Sequence, residues 1–167
     1  MTADIRKQIN DALLSYCRGI DRLDSAAVLA AFHPGALLVD YGPEPIAVES
    51  FAEWVITSLA AKFVATKHRI SNVSITFDGV EASVETYLLA YHIEPVGSGE
   101  TLHTFDGRYL DHFTEVDGRW LIARRALRVD WSRIEPLGEP MRGAWRRSER
   151  NGPDRTGPST KGGCPHG

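Results

Sequence analysis

Two Asp-Gly dipeptides, Asp78-Gly79 and Asp117-Gly118, interrupt long runs rich in Val, Ile, Thr, Tyr and Phe, and they limit the fold more than any other feature. Asp-Gly supplies the left-handed backbone of a tight turn whose twist matches that of paired strands, so each dipeptide predicts a hairpin. Segments 66–77, 80–94, 101–115 and 119–131 then read as four strands, with residues 95–99 as the remaining connection. The second half of the chain should be a four-stranded antiparallel meander.

The first half has helical spacing instead. Ile5, Ile9, Ala12, Leu13 and Tyr16 share one face of a helix over 3–17, with Gly19 expected just past its end. Asp24 should cap a second, short helix reaching Phe32, which His33-Pro34-Gly35 stops. A short strand at 36–40 and a loop at 41–45 follow. Val48, Phe51, Ala52, Val55, Leu59 and Phe63 mark a third helix over 48–64.

Two of the strands change phase. His68 and Ile70 are out of step with Val73, Ile75 and Phe77. Val80, Ala82 and Val84 are likewise out of step with Tyr87, Leu89, Tyr91 and Ile93. One inserted residue shifts the phase and bends a sheet, so a bulge is predicted in each. A sheet curved in this way wraps the helices into an α+β, cone-shaped barrel with a pocket inside. In the last strand, Leu121, Ala123, Leu127, Val129 and Trp131 share one face, which leaves Ile122, Arg124, Ala126 and Arg128 on the other.

The chain has 167 residues, a formal net charge of −3 and 43% hydrophobic residues, which fits one domain and gives no electrostatic reason to expect nucleic acid. No apolar run approaches 18 residues and no leader pattern is seen, so a cytoplasmic protein without a membrane partner is expected. Cys17 and Cys164 are too few for a disulfide framework. The histidine spacings match no recurrent metal-ligand pattern, and no phosphate loop or nucleotide fingerprint is present. Neither metal nor organic cofactor is expected. The domain should cover 1–135, followed by a Gly/Pro-rich basic tail over 136–167. Residues 139–167 alone carry six Lys/Arg against three Asp/Glu. This composition predicts partial disorder, or a strap that uses Met141 and Trp145.

Asp21, after the first helix, and His68, heading the first long strand, are the candidate chemistry. A carboxylate that fixes an imidazole in one tautomer makes it a better base near neutral pH. Each also has an ordinary reading, as a helix-end carboxylate and a strand histidine. Tyr16, one helical turn earlier, could donate to a developing oxyanion or simply fill the core.

Tyr16-x4-Asp21, Phe32-His33-Pro34, His68-x2-Ser71-Asn72, Gly107-Arg108-Tyr109, Asp117-Gly118-Arg119-Trp120 and Asp130-Trp131 together resemble the SnoaL-like branch of the nuclear transport factor 2-like superfamily. The resemblance covers about residues 3–135. It implies a cofactor-independent lyase, most simply a dehydratase, acting on a small hydrophobic or aromatic substrate, with Asp21 and His68 as the catalytic dyad. It also implies Tyr16 in the pocket and Arg124 as the last-strand arginine that assists the leaving group. A second pocket histidine would fall near 91–93, where strand parity turns Tyr91 inward rather than His92. Tyr91, Tyr41, Leu89, Phe105 and Trp54 are the expected substrate-contacting wall. A homo-oligomer, dimer or trimer, is expected. The same fold also serves non-catalytic subunits of ring-hydroxylating dioxygenases and ligand-binding proteins, so those classes stay open.

Overall fold

The structure, a computed structural model, describes residues 1–138 and Arg150. Met141 and Trp145, proposed above as a strap, lie outside the described residues.

Helix α1 (Ala3–Arg22) starts on Thr2, whose hydroxyl accepts from the Ile5 N–H, and buries Ile9, Leu13, Tyr16, Cys17 and Ile20. It does not stop at Gly19 as its sequence predicts. It continues to Leu23, whose left-handed backbone (φ 57°) caps it. Asp21 is therefore in the last helical turn, not in a loop. Gly19 serves a different purpose: a Cβ there would lie 2.7 Å from the Val28 nitrogen, so the missing side chain lets the next helix pack against α1. That helix, α2 (Ser25–Leu29), is capped by Asp24 as expected and is shorter than the sequence suggested.

Strand β1 (Phe32–Val39) bends at Gly35 (φ 75°), and the short β2 (Ile46–Ala47) leads into α3 (Val48–Lys62). Four long strands follow: β3 (Ala65–Phe77), β4 (Glu81–Val96), β5 (Gly99–Val116) and β6 (Arg119–Pro136). They pair as consecutive antiparallel neighbours in the order β2-β1-β6-β5-β4-β3, with β1 parallel to β6. Asp78-Gly79 and Asp117-Gly118 make the turns expected of them. At the first, Asp78 Oδ1 accepts from the Val80 and Glu81 N–H groups. At the second, Asp117 and Gly118 are both left-handed (φ 50° and 76°). The curved, open sheet packs Val84, Leu88, Tyr109, Phe113 and Ile122 against α1 and α3, which completes an α+β cone.

The bulges lie partly where the sequence placed them. β3 shifts register between Ser71 and Ser74, at Asn72 (φ 50°), as predicted. β4 has no internal shift: Ala82, Val84, Thr86, Leu88 and Ala90 are buried in unbroken alternation. Tyr87, Leu89, Tyr91 and Ile93 therefore point to the outer face, and His92 points inward. This corrects the phase change read for β4. Two unforeseen bulges lie on β6. Phe113 pairs with Ile122 and His112 with Arg124, which leaves Ala123 extra; Gly107 pairs with Val129 and Asp106 with Trp131, which leaves Asp130 extra. The inner face of β6 therefore runs Trp120, Ile122, then Arg125, Leu127 and Val129. Arg125 is inside and Arg124 outside, the reverse of the expectation.

Candidate active site

Inside the cone is a cavity of about 220 Å³, lined mainly by apolar groups. Its walls come from Ile20 of α1, Phe51, Trp54, Val55 and Leu59 of α3, and Leu88, Phe105 and Leu127 of the sheet. A cavity of roughly 150 Å³ suffices for benzene, so a substituted ring fits this one.

Asp21 reaches from the last turn of α1 to the head of β3. Its two oxygens accept the His68 backbone N–H at 3.1 and 3.0 Å, and Oδ1 also lies 2.8 Å from the ring Nδ1. The side chains are only 12% and 8% exposed. An ionised carboxylate can only accept, so Nδ1 carries the hydrogen and Nε2 of the neutral ring keeps its lone pair. His68 also lines the cavity, which gives that lone pair a place to act.

At the other side of the cavity, Tyr16, Tyr41 and Tyr109 gather around a buried cation. Arg125 donates from Nε and Nη2 to the two oxygens of Asp111, both at 2.7 Å, and both side chains are wholly buried. Its guanidinium carbon stacks 4.2 Å from the Tyr16 ring centre and 4.0 Å from that of Tyr109. Burial opposes the charge, but the Asp111 carboxylate outweighs it and holds the guanidinium protonated. Burial also pushes the Tyr16, Tyr41 and Tyr109 phenols up, against the opposing pull of Arg125, so all three remain hydrogen-bond donors near neutral pH. The Tyr41 hydroxyl and Arg125 Nη1 are buried without a hydrogen-bond partner among the described residues.

His92 stands beside His68 with ring centres 5.4 Å apart, flanked by Phe63 at 4.8 Å and Phe105 at 5.2 Å. Burial, then the neighbouring His68, lowers its pKa to about 3. His92 is thus a neutral ring at any ordinary pH. A second histidine–carboxylate contact lies on the same face, with His103 Nε2 2.7 Å from Glu94 Oε2.

Of the residues singled out in the sequence, Tyr16, Tyr41, Trp54, His68 and Phe105 line the cavity, with Asp21 directly behind His68. Tyr91 and Leu89 are on the outer face, where Arg69 stacks on Tyr91. Arg124 borders an outer groove with Ser74, Thr76 and Ser83. Strand parity turned His92 outward in the sequence, whereas the structure turns it inward, and sequence reasoning missed Tyr109 and the Arg125–Asp111 pair. One signal for the pair was present: Asp111 shares strand parity with Tyr109 and Phe113, and a carboxylate on an apolar face needs a buried cation.

A curved α+β cone enclosing an apolar cavity is the architecture of the nuclear transport factor 2-like superfamily. Within it, this chain belongs to the SnoaL-like domain family, whose model matches residues 1–126. No curated protein matches its sequence. Among solved structures it is similar to a Novosphingobium aromaticivorans protein assigned provisionally as a scytalone dehydratase (22% identity, 81% of this chain and 95% of the other, TM-score 0.67). It is also similar to one from the same species assigned provisionally as an aromatic ring hydroxylase (20% identity, 82% and 96%, TM-score 0.70). A third is the hexachlorocyclohexane dehydrochlorinase LinA-type3 of Novosphingobium barchaimii (16% identity, 79% and 89%, TM-score 0.66). At these identities the likeness is one of fold.

Proposed function

We propose that the protein is a cofactor-independent lyase that eliminates water, or a comparable leaving group, from a small hydrophobic or aromatic substrate. The observation that carries this reading is the Asp21–His68 contact at the wall of an apolar cavity. Nε2 of His68 removes a proton from a carbon beside a carbonyl or arene, and Asp21 stabilises the imidazolium that forms. General base catalysis of this kind contributes roughly 100- to 10,000-fold.

The C–H electron pair becomes the new double bond, and the C–O pair leaves with the departing oxygen. Tyr16, its ring lying against Arg125, donates a hydrogen bond to that oxygen or to the enolate. A departing hydroxide takes the proton from His68 and leaves as water, so the imidazole ends neutral. Arg125 acts through the rings of Tyr16 and Tyr109 and is a positioning residue, in the place the sequence reading gave to Arg124. Tyr41, Trp54 and Phe105 are the substrate-contacting groups.

A panel of β-hydroxy carbonyl compounds carrying one aromatic ring tests the reading, with formation of the conjugated alkene followed by absorbance. Turnover by the wild type and its loss in His68→Gln supports it. Tight binding of the same compounds with no chemical change would replace it with a binding-protein reading.

A further inference from the structure

Two histidine–carboxylate couples stand on one face of the sheet: Asp21–His68 at 2.8 Å and Glu94–His103 at 2.7 Å. Between them lie three buried polar atoms without a hydrogen-bond partner among the described residues: Thr66 Oγ1 and both ring nitrogens of His92. Thr66, His92 and His103 are directly opposite one another across β3, β4 and β5. Directly opposed residues have Cβ atoms about 5 Å apart. Phe63 packs against both His92 and His103, at 4.8 and 5.3 Å. Thr66, His92 and His103 thus form one cross-strand row, with His68 two residues along β3 from Thr66 and Glu94 two residues along β4 from His92. Buried polar atoms without partners carry their full desolvation cost, so their clustering on a line between two ionisable couples calls for a use.

The far couple reaches solvent. Glu94 is 28% exposed at its side chain and has Lys62 Nζ 3.8 Å away, whereas His103 beside it is 8% exposed. The charged groups around the row are Asp21, Lys62, Glu94 and Arg150, the last held by its hydrogen bond to the Phe63 carbonyl.

We propose that Glu94–His103 is a second proton-transfer couple, joined to His68 through the Thr66–His92 row, by which the base exchanges its proton with solvent. The His68 imidazolium gives its Nε2 proton to the free nitrogen of His92 through a water held by Thr66 Oγ1. His92 releases the proton on its other nitrogen toward His103, which passes one from Nε2 to Glu94 and so to bulk water. No electrons change hands, and a turn of the His92 ring restores its tautomer. The use of this path rests on the lyase reading: it resets His68 whenever the leaving group departs without the proton. Its existence does not depend on that reading.

The test therefore needs no substrate. The rate at which the His68 ring gains and loses its proton is measured by relaxation dispersion at the midpoint of its titration, in wild type, Glu94→Gln and Thr66→Val. Glu94→Gln should slow exchange by at least about tenfold, as expected on removing a positioned proton-transfer group. Thr66→Val should slow it less. The Nδ1–H signal of His68 should stay in place in both and so report an intact Asp21 contact. Wild-type exchange rates in both variants would overturn the proposal and route the proton through the cavity mouth. Failure of the lyase reading looks different: exchange slows as stated while the wild type eliminates nothing.

Discussion

One carboxylate holds His68 by two handles: Asp21 accepts the main-chain N–H and the ring Nδ1–H of the same residue. The orientation of the imidazole is thereby tied to the position of strand β3 against the end of helix α1. A helix end and a strand head 47 residues apart become one rigid unit.

Asp21→Asn should loosen both handles. An amide can donate as well as accept, so the His68 tautomer is no longer dictated. Ring nitrogen shifts should report a single Nδ1–H form in the wild type and a mixture in the variant. Any elimination activity should fall by roughly 100- to 10,000-fold, the share a positioned general base supplies.

Arg124 and Arg125 are adjacent in sequence and opposite in consequence. Asp111→Asn strands a buried guanidinium and should cost about 3–5 kcal/mol in urea unfolding. Arg124→Ala, on the outer face, should change stability by no more than about 0.5 kcal/mol. Equal effects would place the bulge at Ala123 wrongly.

His92 makes stability depend on acidity. Its pKa is about 3 in the fold against 6.5 ordinarily, so between these values the unfolded chain binds more protons than the folded one. Stability from this ring is complete above about pH 6.5 and is lost as pH falls toward 3. The slope is at most about 1.4 kcal/mol per pH unit. Urea midpoints between pH 4.5 and 7 should fall less steeply on acidification in His92→Phe than in the wild type.

Gly19→Ala offers a better helix former at a helical position, yet it should destabilise. The added methyl would lie 2.7 Å from the Val28 nitrogen and 3.0 Å from the Asp24 carbonyl oxygen. Overpacking of this kind costs about 1–3 kcal/mol, more than the roughly 1 kcal/mol gained in helix propensity. A lowered thermal midpoint checks the sign.

Much of this architecture was legible in the residues. The Asp-Gly turns announce both hairpins, and the phase change around Asn72 announces the β3 bulge, because a left-handed residue with two-versus-one pairing leaves a mark on the alternation. The register of β4 misleads for a physical reason. Its outer face carries Tyr87, Leu89, Tyr91 and Ile93, while its inner face beside the cavity carries Thr86, Ala90 and His92. Hydrophobicity there ranks the two faces in the wrong order, since a cavity wall is allowed small and polar groups that a packed core is not. The β6 bulges were invisible because Ala123 and Asp130 resemble ordinary strand residues and nothing local records the count of the partner strand. Gly19 reads as a terminator because a close helix–helix approach and a helix end call for the same residue.

A strand that counts in twos behaves like a text with a reading frame, and Ala123 acts as a single-letter insertion in it. The strand before it is read in one frame and the stretch from it to the second insertion at Asp130 in the other. Were Ala123 to take an ordinary place in the ladder opposite His112, Arg124 would face in and Arg125 out, with no change to either arginine. Asp111 would then hold a cation displaced by one strand step. In a strand without the insertion, the arginine that faces the cavity side must stand one position earlier, two residues after the counterpart of Ile122 rather than three.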